Sequence, residues 1–205
     1  MKPHIVGIAG PSSSGKTELA TRLADALPGT AIVSLDSYYR SCSHLSLHER
    51  EQLNFDHPDA LDWELLKEHL QAMAEGRAFE EPSYLFAHHT RGPETRRIEP
   101  SEFVIVEGLF VLYWPELRAI LNTTVFVETA SEVCYQRRLT RDVAERGRTP
   151  AFVRQQYERT VGPGAEQFVF PSKRYASLVV SGERPVAESV GMVMAALRKA
   201  RAARA

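Results

Sequence analysis

Residues 10–17 read Gly-Pro-Ser-Ser-Ser-Gly-Lys-Thr, a full match to the phosphate-binding loop pattern G-x-x-x-x-G-K-[ST]. The apolar run Ile5-Val6-Gly7-Ile8-Ala9 precedes it, and a helical pattern from Glu18 to Leu27 follows. Strand, glycine-rich turn and helix in that order commit the chain to an α/β architecture around a buried strand. Gly10 and Gly15 let the backbone curl, so that N–H groups from residues such as Ser13 and Ser14 can point inward at phosphate oxygens. A helix starting near Lys16 adds its positive dipole end. Lys16 supplies a mobile cation for the β- and γ-phosphates, and the Thr17 hydroxyl is placed to ligate Mg²⁺. The chain is therefore expected to handle a nucleoside triphosphate, ATP by default. What receives the phosphoryl group is the open question.

The rest of the chain alternates continuous apolar runs with helical patterns. Strands are expected at His4–Ala9, Ala31–Leu35, Phe103–Val106, Thr124–Val127 and Leu178–Val180. Helices are expected at Lys16–Leu27, Leu61–Glu75, Ser131–Arg146, Ala151–Val161 and Pro185–Arg201. Continuous rather than alternating apolar strands predict a parallel sheet covered by helices on both faces. At 205 residues with 43% apolar side chains, this reads as one domain over 1–205 that folds without staples.

The net charge of −1 gives no global attraction to nucleic acid or to an anionic membrane. No apolar stretch approaches the length of a membrane span, and no signal-peptide core is seen at the N-terminus. Cys42 and Cys134 lack metal-ligand spacing and a partner pattern, so reduced thiols in a cytoplasmic protein are expected.

Two segments interrupt the alternation. Residues 37–60 are polar and His-rich, and residues 77–100 carry Pro82, Pro93 and Pro100. Phe79–Phe86 and Thr95–Ile98 can pair as a small β-hairpin. Both segments leave the carboxyl ends of strands, where open α/β sheets bind ligands. Further on, residues 137–148 hold five arginines. If one helix runs through, Arg137, Arg138, Arg141 and Arg148 share one arc, and Gly147 with Pro150 marks a lid over 137–150 that can close over phosphates. Read alone, these arginines equally form a solvated face paired with Asp142 and Glu145.

Several blocks occur in an order that resembles the uridine–cytidine kinases. They are Leu35-Asp36-Ser37-Tyr38-Tyr39-Arg40, Asn54-Phe55-Asp56-His57-Pro58-Asp59-Ala60-Leu61-Asp62, Pro82-Ser83-Tyr84-Leu85-Phe86 leading to His89-Thr90-Arg91, and Val106-Glu107-Gly108-Leu109. The arginine block, Gln155-Gln156-Tyr157 and Phe170-Pro171-Ser172-Lys173-Arg174-Tyr175-Ala176 complete the series. The resemblance covers about Ile5 to Gly182. It implies a P-loop kinase fold with a hairpin insertion over 77–100 at the acceptor site and an Arg-rich lid.

The implied activity is transfer of the ATP γ-phosphoryl to the 5′-hydroxyl of uridine and cytidine, giving UMP and CMP, with Mg²⁺ as cofactor. The same resemblance implies a homo-oligomer, a tetramer. Its implied roles are Asp36 as base for the acceptor hydroxyl, Glu107 on the metal side with Thr17, and Asp56 on the ribose hydroxyls. Tyr84, Phe86 and His89 would meet the base. Arg141 and Arg146 would meet ATP phosphates, and Arg138, Arg148 and Gln156 the nucleoside side. Read bare, Asp36 is also a turn cap, Glu107 a strand-end acid, Asp56 a turn acid, and Phe86 ordinary hairpin packing.

Two departures stand out. Leu85 occupies a position where the family usually has an acid. Gly162-Pro163-Gly164-Ala165-Glu166-Gln167-Phe168 replaces a Lys-Pro-x-x-Glu-x-Phe stretch, and its extra glycines predict a weakened helix start. Rival readings are a kinase of the same fold acting on nicotinamide riboside or a ribulose phosphate, and a non-catalytic nucleotide-sensing module. A switch-type GTPase would need an N-K-x-D motif, which the sequence lacks.

Overall fold

The computed structural model describes residues 2–202; Met1 and residues 203–205 of the one-domain reading lie outside the described part. Five strands form one parallel sheet in the order β2-β5-β1-β6-β7: β1 His4–Ala9, β2 Ala31–Ser34, β5 Phe103–Glu107, β6 Thr123–Glu128 and β7 Leu178–Ser181. Strands β3 Phe79–Leu85 and β4 Thr90–Ile98 form a separate antiparallel hairpin. The helices are α1 Lys16–Ala26, α2 Leu47–Glu51, α3 Trp63–Ala74, α4 Pro115–Arg118, α5 Ser131–Arg146, α6 Pro150–Gln156, the single turn α7 Gly162–Gly164, and α8 Val186–Ala202.

The sheet strands are apolar on both sides because both sides are covered. Ile5, Ala9, Val104, Val106 and Phe126 enter one core with α3, while Val6, Ile8, Phe103, Ile105, Val125 and Val127 enter another with α1 and α8. Period-two alternation along each strand deals successive residues to opposite cores.

Three sequence expectations are corrected. Strand β2 stops at Ser34, and Leu35–Tyr38 forms a 3₁₀ turn, so Asp36 sits in the turn rather than at a strand end. The second hairpin strand begins at Thr90, not Thr95, despite Gly92 and Pro93. Helix α5 ends at Arg146, because Gly147 adopts a left-handed conformation (φ 64°). Arg148 therefore does not share a helical arc with Arg137, Arg138 and Arg141.

The glycine-rich departure does not break the helix either. From α6 the chain continues through a π-helical stretch, Tyr157–Val161, then α7, then a second π-helical stretch, Ala165–Val169, and a 3₁₀ segment, Phe170–Tyr175. Gly164 has ordinary helical torsions at the junction (φ −65°, ψ −39°). Its missing side chain is a packing requirement. A Cβ there would lie 2.4 Å from the backbone oxygen of Asp56.

The hairpin is fastened to the sheet edge at its root. Glu81, almost fully buried, accepts the Ser34 backbone N–H (3.1 Å) and two guanidinium N–H groups of Arg96 (2.9 and 2.6 Å). Arg96 also donates to the Ile32 carbonyl of β2 (2.7 Å). Farther up, Arg91 donates to the Tyr39 carbonyl (2.9 Å) and to Asp62 (3.1 Å), and Asp62 also caps α3.

Candidate active site

The sheet register sets the site. Glu107 of β5 lies opposite Ile8 of β1 and Ser34 of β2. Its carboxylate therefore emerges beside the loop that leaves β1 at Ala9. Thr17 donates its hydroxyl to Glu107 Oε2 (3.2 Å), and Ser34 donates to Oε1 (3.0 Å). Burial pushes the Glu107 carboxyl up; Lys16 works against that, and Asp36 adds to it. A desolvated carboxylate beside a hydroxyl is a hard, all-oxygen donor set that suits Mg²⁺.

The loop itself is held in a conformation few side chains tolerate. Ser13 has φ 63°, and Gly15, with φ 97°, caps α1. At Gly10 a Cβ would meet the Val127 carbonyl at 2.7 Å. The buried Ser13 and Ser14 hydroxyls find no protein partner among the described residues, and Ser13 borders the space in front of the loop.

A cavity of about 330 Å³ opens in front of this loop. Lys16, Thr17, Ser13 and Gly15 form one wall, and Asp36 and Asp56 stand within it. Tyr84, Phe86 and His89 form the far wall, with Arg138, Arg141, Arg146, Arg148 and Gln156 above. Of the remaining expected residues, Glu107 reaches the cavity through Thr17, and Gly10 and Ser14 lie behind the lining. Among the described residues the Asp36 carboxylate accepts no hydrogen bond from the protein, so it does not act as a turn cap.

Asp56 is buried and is held by two groups. Its backbone N–H donates to Asn54 Oδ1 (3.0 Å), and Thr160 donates its hydroxyl to Oδ2 (3.1 Å). Burial pushes its carboxyl up, while Arg138 and Thr160 oppose this.

The aromatic wall is a stack of edges and faces. His89 stacks on Phe55 (5.1 Å, 21°), Tyr39 meets Phe55 and Tyr84, and Tyr84 meets Phe86 edge-on (5.3 Å). The Tyr84 hydroxyl is buried without a protein partner among the described residues. Burial, and then the Arg148 charge, hold the His89 imidazole below the ordinary histidine value, so it is neutral at neutral pH. The Arg146 guanidinium lies 5.2 Å from the Phe86 ring, closing the cavity roof onto its wall.

Several residues at the site carry no role in the sequence reading. Tyr39 and Phe55 stand inside motif blocks, yet only the fold shows that they frame the aromatic wall. Thr160 has no local signal, because its partner is 104 residues away. Asp142 has one: it lies four residues from both Arg138 and Arg146. It is fully buried and takes ion pairs from Arg138, Arg141, Arg146 and Arg148. A second cavity, about 290 Å³, flanks the phosphate loop between Leu19, Val127, Val180 and Val186. Arg137 borders both cavities and donates to the Gly182 carbonyl (2.8 Å).

Known proteins share this arrangement of chain. Solved structures with the same fold include a putative fructose transport system kinase from Silicibacter sp. TM1040, with TM-score 0.71, 20% identity, and coverage of 87% of this chain and 90% of that one. The phosphoribulokinase of Rhodobacter spheroides matches with TM-score 0.64 and 13% identity, over 90% of this chain and 74% of that one. At such identities the likeness concerns the fold. Proteins named uridine kinase from Shewanella amazonensis and Shewanella baltica are each 46% identical over 182 residues, covering 86% of this chain and 86% of their own. The model of the phosphoribulokinase / uridine kinase family matches residues 5–187. That span runs from the first strand through the phosphate loop, both acceptor-side segments and the arginine block to the start of the last helix; the chain is a P-loop kinase and belongs to the phosphoribulokinase / uridine kinase family.

Proposed function

We propose that this kinase transfers the γ-phosphoryl group of Mg·ATP to the 5′-hydroxyl of uridine and cytidine. One observation carries the reading: a single cavity joins the phosphate loop to a buried carboxylate, Asp56, and a wall of aromatic rings around His89. A ribose needs the first and a pyrimidine the second. The 46% identity to proteins named uridine kinase supports the same acceptor.

In this reading the acceptor enters with its ribose on Asp56. A carboxylate accepts two vicinal hydroxyls and rejects a sugar that lacks one, because a lone pair then stays buried and unpaired. Neutral His89 carries one donor and one acceptor nitrogen, so it can meet the carbonyl of uracil or the amino group of cytosine. The triphosphate lies on the loop amides, Lys16, Arg141 and Arg146, with Arg138, Arg148 and Gln156 toward the nucleoside, and its base fits the second cavity, walled in part by Leu19, Val127, Val180 and Val186. Thr17 and Glu107 would hold Mg²⁺, which when bound neutralises charge on the phosphates. Asp36 takes the proton of the 5′-hydroxyl as that oxygen bonds to the γ-phosphorus. The bond from the γ-phosphorus to the β–γ bridging oxygen breaks, and its electron pair leaves with ADP. Free Cys42 and Cys134 accord with a reducing, cytoplasmic setting.

The test is a phosphoryl-transfer assay with Mg·ATP against a panel of nucleosides, nicotinamide riboside and ribulose 5-phosphate. Preferred turnover of uridine and cytidine is expected. Preference for a purine nucleoside or a sugar phosphate overturns the assignment.

A further inference from the structure

The buried carboxylate of Asp142 faces more positive charge than a structural bridge needs. Its Oδ1 accepts two N–H groups of Arg141 (2.9 and 2.8 Å), with Arg146 at 3.5 Å. Its Oδ2 accepts from Arg148 (3.1 Å), with Arg138 at 3.6 Å. The residue is wholly buried. Burial alone would raise its carboxyl; the guanidinium charges outweigh that and hold it below the ordinary aspartate value. Burial, and then neighbouring arginines, push Arg146 below the usual arginine value, and Arg148 is lowered by burial as well.

One negative charge thus gathers four positive ones, and all four arginines line the cavity over the phosphate loop. Two of them stand at ion-pair rather than hydrogen-bond distance from it. Arg138 Nε is buried with no hydrogen-bond acceptor among the described residues, although the same side chain donates to Ser12 Oγ in the loop (2.9 Å) and to Gln156 (2.8 Å). The turn at Gly147 serves the same gathering. The Arg148 backbone N–H donates to the Asp142 carbonyl (3.1 Å), which folds Arg148 back over the carboxylate. A cluster with surplus positive charge and unfilled donors is complete only when a polyanion joins it.

We propose that Asp142 is a positioning residue, an internal counter-ion that assembles Arg138, Arg141, Arg146 and Arg148 over the phosphate loop and yields part of their contacts to an incoming polyphosphate. It does not touch the reacting atoms. Its effect is to hold four mutually repelling side chains in register over the loop while the site is empty, in competition with the polyanion for their N–H groups. The inference rests on the phosphate half of the proposed function and not on the identity of the acceptor.

Asp142→Asn keeps the shape and removes the charge. Turnover should fall about tenfold to a hundredfold, as for a displaced positioning group. Binding of tripolyphosphate, measured by calorimetry, should stay equal or become tighter, because the competing carboxylate is gone. The variant should also melt lower than wild type when ligand-free and gain more in Tm from tripolyphosphate. Should it fold poorly, purification with tripolyphosphate is expected to rescue it. Three outcomes overturn the proposal: kcat within twofold of wild type, tripolyphosphate affinity falling in step with kcat, or failure to fold even with the polyanion. If no acceptor in the panel is turned over, the proposed function fails alone, and tripolyphosphate binding and Tm decide the role of Asp142 without it.

Discussion

The two halves of the cavity are built by opposite means. The phosphate half is one unbroken stretch of chain, residues 10–17, whose backbone is itself the binding surface and whose shape is set by Ser13 and Gly15. The acceptor half is assembled from side chains on four separated segments: the 3₁₀ turn at Asp36, the loop carrying Phe55 and Asp56, the hairpin with Tyr84 and His89, and the helical rod with Gln156 and Thr160. A contiguous backbone site survives drift in its surroundings. A site of distant side chains depends on every contact that holds its segments in register. Substitutions near the loop should therefore act on chemistry, and substitutions behind the acceptor wall on geometry.

Asp36→Asn should give the largest effect, a loss of about 10²–10⁴ in kcat with uridine binding retained, as expected for a removed general base. Lys16→Ala should cost about 10²–10³ in kcat by removing charge stabilisation at the γ-phosphate. Steady-state kinetics with an independent measure of uridine affinity checks both. Near-normal kcat in Asp36→Asn would remove its assigned role.

Gly164→Ala sharpens the contrast, because the added methyl touches no ligand. It must push against the Asp56 carbonyl, 2.4 Å from the new Cβ, and displace the carboxylate proposed to take the ribose. A displacement of about 1 Å costs up to ~10², and the loss should appear in kcat/KM for uridine while KM for ATP stays put. Equal damage to both substrates would mean that the two halves are not independent.

Deoxyuridine should be poorer than uridine by one unpaired acceptor on Asp56, about 1–3 kcal/mol. Equal kcat/KM for the two nucleosides would sink that contact. The acid limb of kcat/KM for uridine should lie above the ordinary carboxylate range. Burial raises Asp56, so it is protonated at a higher pH than a free side chain and loses its needed charge as pH falls. A profile flat down to pH about 4.5 would break this expectation. The smallest effect belongs to His89→Phe, a few-fold loss that falls harder on uridine than on cytidine, read from paired kcat/KM values. Equal losses would make His89 a packing residue against Phe55.

How much of this was legible in the sequence follows the same division. The loop, its strand and its helix could be read directly, since β1 spans the expected His4–Ala9 and α1 starts at Lys16. The helix α5 was equally plain between Ser131 and Arg146. The hairpin was half visible: Pro93 and Gly92 hide the start of β4, whose pairing with β3 overrides local propensity. Asp36 shifted from strand to turn because Leu35 packs into the core at the 3₁₀ turn. Thr160 and Gly164 were out of reach as site residues, because their meaning lies in a partner far along the chain, and Asp142 showed only as an ion-pair partner on the arginine face. Gly164 in particular read as one of two glycines weakening a helix start, although it is a point of close approach to Asp56.

The two π-helical stretches that flank Gly164 also bear on how this sequence can change. Each π turn fits one more residue into its span than an α turn does. The rod therefore works as a vernier that brings Gln156, Thr160 and Gly164 to their partners while still delivering Phe168 and Val169 to the core. Replacing one residue in it alters one contact. Deleting one outside the π turns would rotate everything beyond by about 100°. In this stretch chain length constrains the site as the residue identities do that touch Asp56, Arg138 and Arg148.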